Sequence, residues 1–155
     1  MTIKAGESAF VDTNVLLSAT DRSRPRHSEA RDLFRAFREG GNTLALSGQI
    51  VREYLVVATR PAEVNGLGMN AADALHNISR IATRAIYCEE TEAVSARLRA
   101  LIGIYSLCGK RIHDASVVAT MAEHDIGWLI TENKPDFEVF REIQTLDLGE
   151  LSEVP

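Results

Sequence analysis

Four acidic residues, Asp12, Glu53, Asp114 and Asp136, are spaced along the chain where a shared chemistry is plausible. Asp12 ends the apolar run Ala9-Phe10-Val11, and Glu53 interrupts the helical apolar pattern from Ile50 to Leu55. Asp114 follows Ile112-His113 at the start of another helical pattern, and Asp136 comes after Leu129-Ile130-Thr131 and Pro135. Isolated carboxylates are costly in such surroundings, and sharing a hard divalent cation removes the cost. A carboxylate cluster without histidine or cysteine ligands favours Mg2+ or Mn2+ over zinc. One such ion polarises a phosphodiester oxygen and acidifies water, and a second about 3.5–4 Å away can stabilise the leaving oxygen. The chemistry expected is phosphodiester hydrolysis without a protein nucleophile.

Taken singly, each acid has an ordinary structural reading. Asp12 and Asp136 are good helix caps. Asp114 lies where a helix macrodipole favours an anion. Glu53 could pair with Arg52 or Arg60. Asn14 is placed to hydrogen-bond Asp12 and fix its orientation, and Thr131 and Asn133 add neutral oxygens near the same edge. His113 adjoins Asp114, but successive helical residues point different ways, so it reads as structural. His27, His76 and His124 read as exposed helix positions. Neither a dinucleotide-binding glycine pattern nor a phosphate-loop motif occurs.

The elements that must position these residues alternate between strand and helix. Strands are expected over 8–12, 43–46, 85–88, 127–131 and 142–146. Helices are expected over 14–20, 27–39, from 48 to about 59, 70–84, 91–107, 112–124 and 136–140. Ser47 and Asn70 read as N-caps, and 61–68 reads as a turn-rich loop. Five short strands separated by helices imply an α/β fold, a three-layer α/β/α sandwich around a five-stranded, mainly parallel sheet. Ligands bind such sheets beyond the carboxyl ends of the strands, where Asp12 and the 131–136 loop both fall.

The 155 residues fit one domain spanning 1–155. Their 45% hydrophobic and 25% charged content is that of an ordinary soluble protein. No apolar stretch is long enough to span a membrane, and the first residues have no apolar signal core, so a cytoplasmic protein is expected. Cys88 and Cys108 have no metal-ligand spacing, and both read as buried apolar residues. The net charge of −5 argues against a broad electrostatic nucleic-acid binder. Six arginines between Arg22 and Arg38 nevertheless crowd one segment, as either a solvated helix face or a phosphate-contacting edge.

Phe10-Val11-Asp12-Thr13-Asn14-Val15-Leu16-Leu17, Arg52-Glu53, His113-Asp114-Ala115 and Leu129-Ile130-Thr131-Glu132-Asn133 with Asp136-Phe137 resemble the PIN domain family. Within that family they are similar to the toxin ribonucleases of VapBC-type toxin–antitoxin modules, from about residue 8 to 147. The 60–68 loop also resembles one common in these toxins. The resemblance implies Mg2+- or Mn2+-dependent cleavage of RNA by metal-activated water. It implies that Asp12, Glu53, Asp114 and Asp136 form the acidic site, that Thr13 and Asn14 support Asp12, and that Thr131 contributes a hydroxyl. Asn133 stands where many relatives carry Asp, which removes one negative charge and weakens the case for a second metal. Lys110 and Arg111 are placed to hold a substrate phosphate. A homodimer and a small antitoxin partner are also implied.

Two alternatives remain open at this point. A Mg2+-dependent phosphatase on a related fold would use Asp12 as nucleophile, but the acid expected two residues later is Asn14. A noncatalytic RNA- or protein-binding module would keep the fold and lose turnover.

Overall fold

The computed structural model describes residues 3–153, with side chains as far as residue 150. Five strands, β1 (Ser8–Val11), β2 (Thr43–Ser47), β3 (Ile86–Cys88), β4 (Trp128–Ile130) and β5 (Gln144–Leu146), form one sheet in the order β3-β2-β1-β4-β5. All four ladders are parallel, so the expected mainly parallel sheet is parallel throughout. Central β1 is an unbroken apolar run because both of its faces are covered, and Ala9, Phe10 and Val11 are fully buried.

The chain moves from β1 outward to β2 and β3, then crosses back to β4 and β5. Right-handed crossovers therefore put the helices before and after the reversal on opposite faces. Before it come α1 (Thr13–Thr20), α2 (His27–Glu39), α3 (Gly48–Thr59) and α4 (Ala71–Ala82). After it come α5 (Glu92–Tyr105), α6 (Arg111–Glu123) and α7 (Lys134–Phe137). The packing agrees: α1 meets α2 and α3, α3 meets α4, α5 meets α6, and α6 meets α7. The reversal leaves a crevice beyond the carboxyl ends of β1 and β4, where doubly wound sheets bind ligands. Among the described residues, no helix is long and apolar enough to cross a membrane.

Several local expectations need correction. Ser47 holds the N-cap position of α3 but makes no cap hydrogen bond, and its hydroxyl is buried without a partner. The cap comes from across the sheet, where Glu90 accepts a bond from the Gln49 amide at 3.0 Å. Ser47→Ala removes an unsatisfied buried hydroxyl, so it should stabilise the protein by about 1 kcal/mol. Thermal unfolding should then shift upward by roughly 2–4 °C.

The 61–68 loop is not all turn, since Ala62–Val64 forms a 3-10 helix. Cys88 is buried but Cys108 is exposed. His27 is half-buried, with Nδ1 2.8 Å from the Ser18 carbonyl, and His124 likewise meets the Glu89 carbonyl through Nε2 at 2.9 Å. Helix α7 begins at Lys134 with Pro135 in its first turn, so Asp136 lies within the helix and is not its cap.

Candidate active site at the strand reversal

Residue Val11 pairs with Ile130 across β1 and β4, and the next residue on each strand leaves the sheet. The two side chains that follow, Asp12 and Thr131, therefore emerge side by side. The Asp12 amide continues the ladder to the Ile130 carbonyl at 3.0 Å, and the Thr131 amide bonds to the Leu146 carbonyl of β5 at 3.1 Å. Thr131 is completely buried, and its hydroxyl donates to Asp12 Oδ2 at 2.7 Å.

Asp12 is thoroughly oriented. It caps α1, with Oδ1 accepting from the Thr13 amide at 2.7 Å, while Asn14 Nδ2 donates to Oδ2 at 3.1 Å. Asn14 Oδ1 accepts from the Glu132 amide at 3.2 Å, which ties α1 to the segment after β4. The Asn133 amide donates to the Thr131 hydroxyl at 3.0 Å, so Asn133 contributes its backbone here.

Glu53 reaches the same crevice from α3. Its Oε2 accepts from the Thr13 hydroxyl at 2.8 Å, and its Oε1 accepts from Gln49 Nε2 at 2.8 Å. Neither arginine considered as its partner pairs with it: Arg52 lies 3.5 Å from Glu90, and no ion pair to Arg60 occurs among the described residues. Its surroundings are less apolar than the pattern implied, because Ile50 is buried but Val56 is 56% exposed.

Gln49 went unrecognised in the sequence. It also donates to the His113 carbonyl at 3.0 Å, linking α3 to the turn of α6 that carries Asp114. Glu132 was likewise missed as a site neighbour, and its Oε1 is buried without a hydrogen-bond partner. Its place between Thr131 and Asn133 was the available signal. For Gln49, a helical turn before Glu53 was the only one.

Asp114 lies in the first turn of α6 and is partly buried. Burial, then the charges of Asp136 and Asp12, push its carboxyl up to about 6, with Glu53 adding and Arg111 opposing. Burial likewise raises Asp12 above the usual carboxylate range. The bonds from Thr131, Thr13 and Asn14 oppose that shift, and Glu53 reinforces it. The four acids thus share one electrostatic neighbourhood that is short of positive charge.

Asp12 and Glu53 are fixed by hydrogen bonds, whereas none reaches the carboxylates of Asp114 or Asp136 among the described residues. With the side chains so disposed, no three acidic, histidine or cysteine groups among the described residues close on a common point. Exclusively hard oxygen donors and raised carboxyls are nevertheless what a divalent cation relieves.

The two basic residues differ. Lys110 is exposed at the N-cap of α6. Arg111 donates through one terminal nitrogen to the Asp136 carbonyl at 3.0 Å, and its Nε is buried without a partner. It braces α6 against α7.

Comparison with known proteins identifies the family and the fold. Over 142 residues, the chain is 28% identical to Ribonuclease VapC48 of Mycobacterium tuberculosis, covering 90% of this chain and 97% of that protein. Its fold is similar to DNA-bound VapBC from Salmonella typhimurium, with a TM-score of 0.67, 14% identity and coverage of 92% and 98% of the two chains. A toxin–antitoxin complex from Klebsiella pneumoniae gives 0.62, 22% identity and coverage of 88% and 96%. The family model described as the PIN domain matches residues 9–143, a span that contains all four acids. The chain therefore belongs to the PIN domain family.

Proposed function

We propose that the protein is a Mg2+- or Mn2+-dependent endoribonuclease, the toxin of a toxin–antitoxin pair. The observation that carries this reading is the crevice between β1 and β4. There, Asp12 is held by Thr13, Asn14 and Thr131, and electrostatically coupled to Glu53 and Asp114.

Asp12, Asp114 and Asp136 would hold the cation, with Glu53 completing the acidic wall. Bound there, the ion supplies Lewis-acid polarisation of a phosphodiester oxygen and acidification of water. The chain's own part is positioning. Thr131 and Asn14 keep one Asp12 oxygen from rotating, and Thr13 and Gln49 do the same for Glu53. Glu53 would face the cation from the α3 side, and the exposed Lys110 would meet a substrate phosphate.

An RNA substrate is favoured by similarity to a protein named a ribonuclease. A small antitoxin partner is favoured by similarity to solved VapBC complexes. Homodimerisation has support in the exposed Val56, Val64 and Leu75 of α3, the 3-10 helix and α4. The phosphatase reading is weakened because the residue two places after Asp12 is Asn14, an amide that bonds to Asp12 and to the Glu132 amide and cannot serve as the second acid.

Purified protein should cut total cellular RNA into discrete fragments with Mg2+ or Mn2+. Both a chelator and Asp12→Asn should abolish the cutting. Undiminished cleavage by that variant would contradict the assignment, and a trapped aspartyl-phosphate at Asp12 would favour the phosphatase.

A further inference from the structure

An acidic protein that acts on an acidic polymer needs a local cationic surface, because the chain carries 22 acidic against 17 basic side chains. One groove concentrates them. Arg31, Arg35 and Arg38 of α2 face Arg80 of α4 and Arg84 just beyond it across a space of about 870 Å³, with Asp32 the one acid on its walls among the described residues. All five arginines are exposed. Arg35 pairs with Asp32, and no ion pair engages the other four among the described residues.

We infer that this groove holds the phosphate chain of RNA outside the cleavage crevice. The inference rests on the ribonuclease reading and adds to it a second RNA-binding surface. Guanidinium groups bind phosphate oxygens through two parallel hydrogen bonds, and Arg remains charged at any working pH. The half-buried Phe34 and Ile81 offer limited apolar surface between the arginines, suited to a base lying flat.

The alternative occupant, an amphipathic acidic helix, needs an apolar strip to bury. Here the other large apolar residues of the groove, Phe37 and Leu44, are already only 6% and 7% exposed. Apolar and polar surface are both open in the groove, and it is the five guanidinium groups on its walls that favour a phosphate chain. The placement also suits a polymer. Thr13 at one end of α1 bonds to Glu53, while Ala19 and Thr20 at the other end line the groove. The eight residues of α1 span about 12 Å, and Thr43 and Leu44 at the start of β2 place the groove at the opposite end of the sheet from the crevice, where it would hold RNA flanking the cleaved segment.

The test is fluorescence anisotropy of a labelled 12-nucleotide single-stranded RNA with the full chain in chelator, where nothing is cut. Arg38→Gln/Arg84→Gln should weaken binding at least about tenfold. It should also flatten the dependence of log affinity on log salt by about 1.4, or about 0.7 for each phosphate that an arginine no longer neutralises. The control Arg99→Gln/Arg141→Gln removes the same charge from exposed positions outside the groove, and should change affinity less than about twofold. All four side chains are exposed, so melting temperatures should match the parent protein.

Equal losses in the two double variants would overturn the groove assignment, as would no RNA binding by the parent chain. So would tighter, arginine-dependent binding of a glutamate-rich helical peptide than of RNA, which would assign the groove to an acidic protein. Cleavage is scored separately with Mg2+ or Mn2+. Arginine-dependent binding without any cleavage would strike the nuclease reading and leave the groove. Cleavage with arginine-independent binding would strike the groove alone.

Discussion

Asp114→Asn should make the metal-free protein more stable at neutral pH while reducing RNA cleavage by more than about a hundredfold. Burial and the charges of Asp136 and Asp12 raise the Asp114 carboxyl to about 6, from a usual value near 4 in an unfolded chain. Between those values the folded state keeps a proton that the unfolded chain releases. Stability therefore falls as pH rises through this window, and the deficit is complete above it. Asn cannot ionise, so the variant escapes the loss. Because Asp114 is partly exposed, solvent screening reduces the gain to about 1 kcal/mol, or roughly 2–4 °C in Tm. The gain should be full at pH 8 and vanish near pH 4. The loss of activity should exceed the 10–100-fold cost of removing a group that only supports a metal ligand. A lower Tm for Asp114→Asn at pH 8 would refute the claim that this carboxylate is a destabilising element kept for chemistry.

Gly66→Ala should lower Tm by roughly 6–12 °C, corresponding to about 3 kcal/mol. A methyl group at residue 66 would stand 1.9 Å from the Arg60 carbonyl oxygen and 2.3 Å from its carbon, both backbone atoms. The segment cannot easily move aside. The Leu67 amide bonds to the Val57 carbonyl, Gly68 to Arg60 and Met69 to Ala58, at 2.9–3.0 Å, fastening it along the end of α3. Asn65 turns the chain there with φ of 63°, a conformation that Asn tolerates better than most residues. Gly103→Ala is the matched contrast. It lies within α5 with open space around it, and there the exchange should stabilise by about 0.5–1 kcal/mol. Thermal melts of the two variants side by side check both signs.

Most of the fold was legible because hydrophobic period and helix punctuation agree along the chain. Gly40-Gly41 after α2 and Arg60-Pro61 after α3 mark ends found at Glu39 and Thr59. Asn70 caps α4 with its side chain as read, whereas Thr91, read as the first residue of its helix, proves to be the cap of α5. Legibility failed where a partner from a distant element decides the outcome. Ser47 looks like a cap, but Glu90 arrives from beyond β3 and takes the bond. Glu53 was readable as an anomaly within an apolar pattern, but its partners Thr13 and Gln49 follow from how α1 and α3 cross. The Asp12–Asn14 bond was accessible because it is local. The Asp12–Thr131 bond joins positions 119 residues apart and required the register of β1 against β4. Cys108 was misjudged because residue type predicts burial only on average, and this cysteine lies in an exposed connection.

The neighbour of β1 on its outer side is β4, which is made more than a hundred residues later. A chain emerging from the ribosome can pair β1 with β2 and β2 with β3, but Asp12 then lacks Thr131, and neither Asp114 nor Asp136 is present. Non-local pairing of this kind closes late. The crevice therefore acquires its complete set of groups only after β4 and the segment beyond it have been made. Products truncated before β4 would lack it, so the topology itself withholds a complete crevice from any shorter chain.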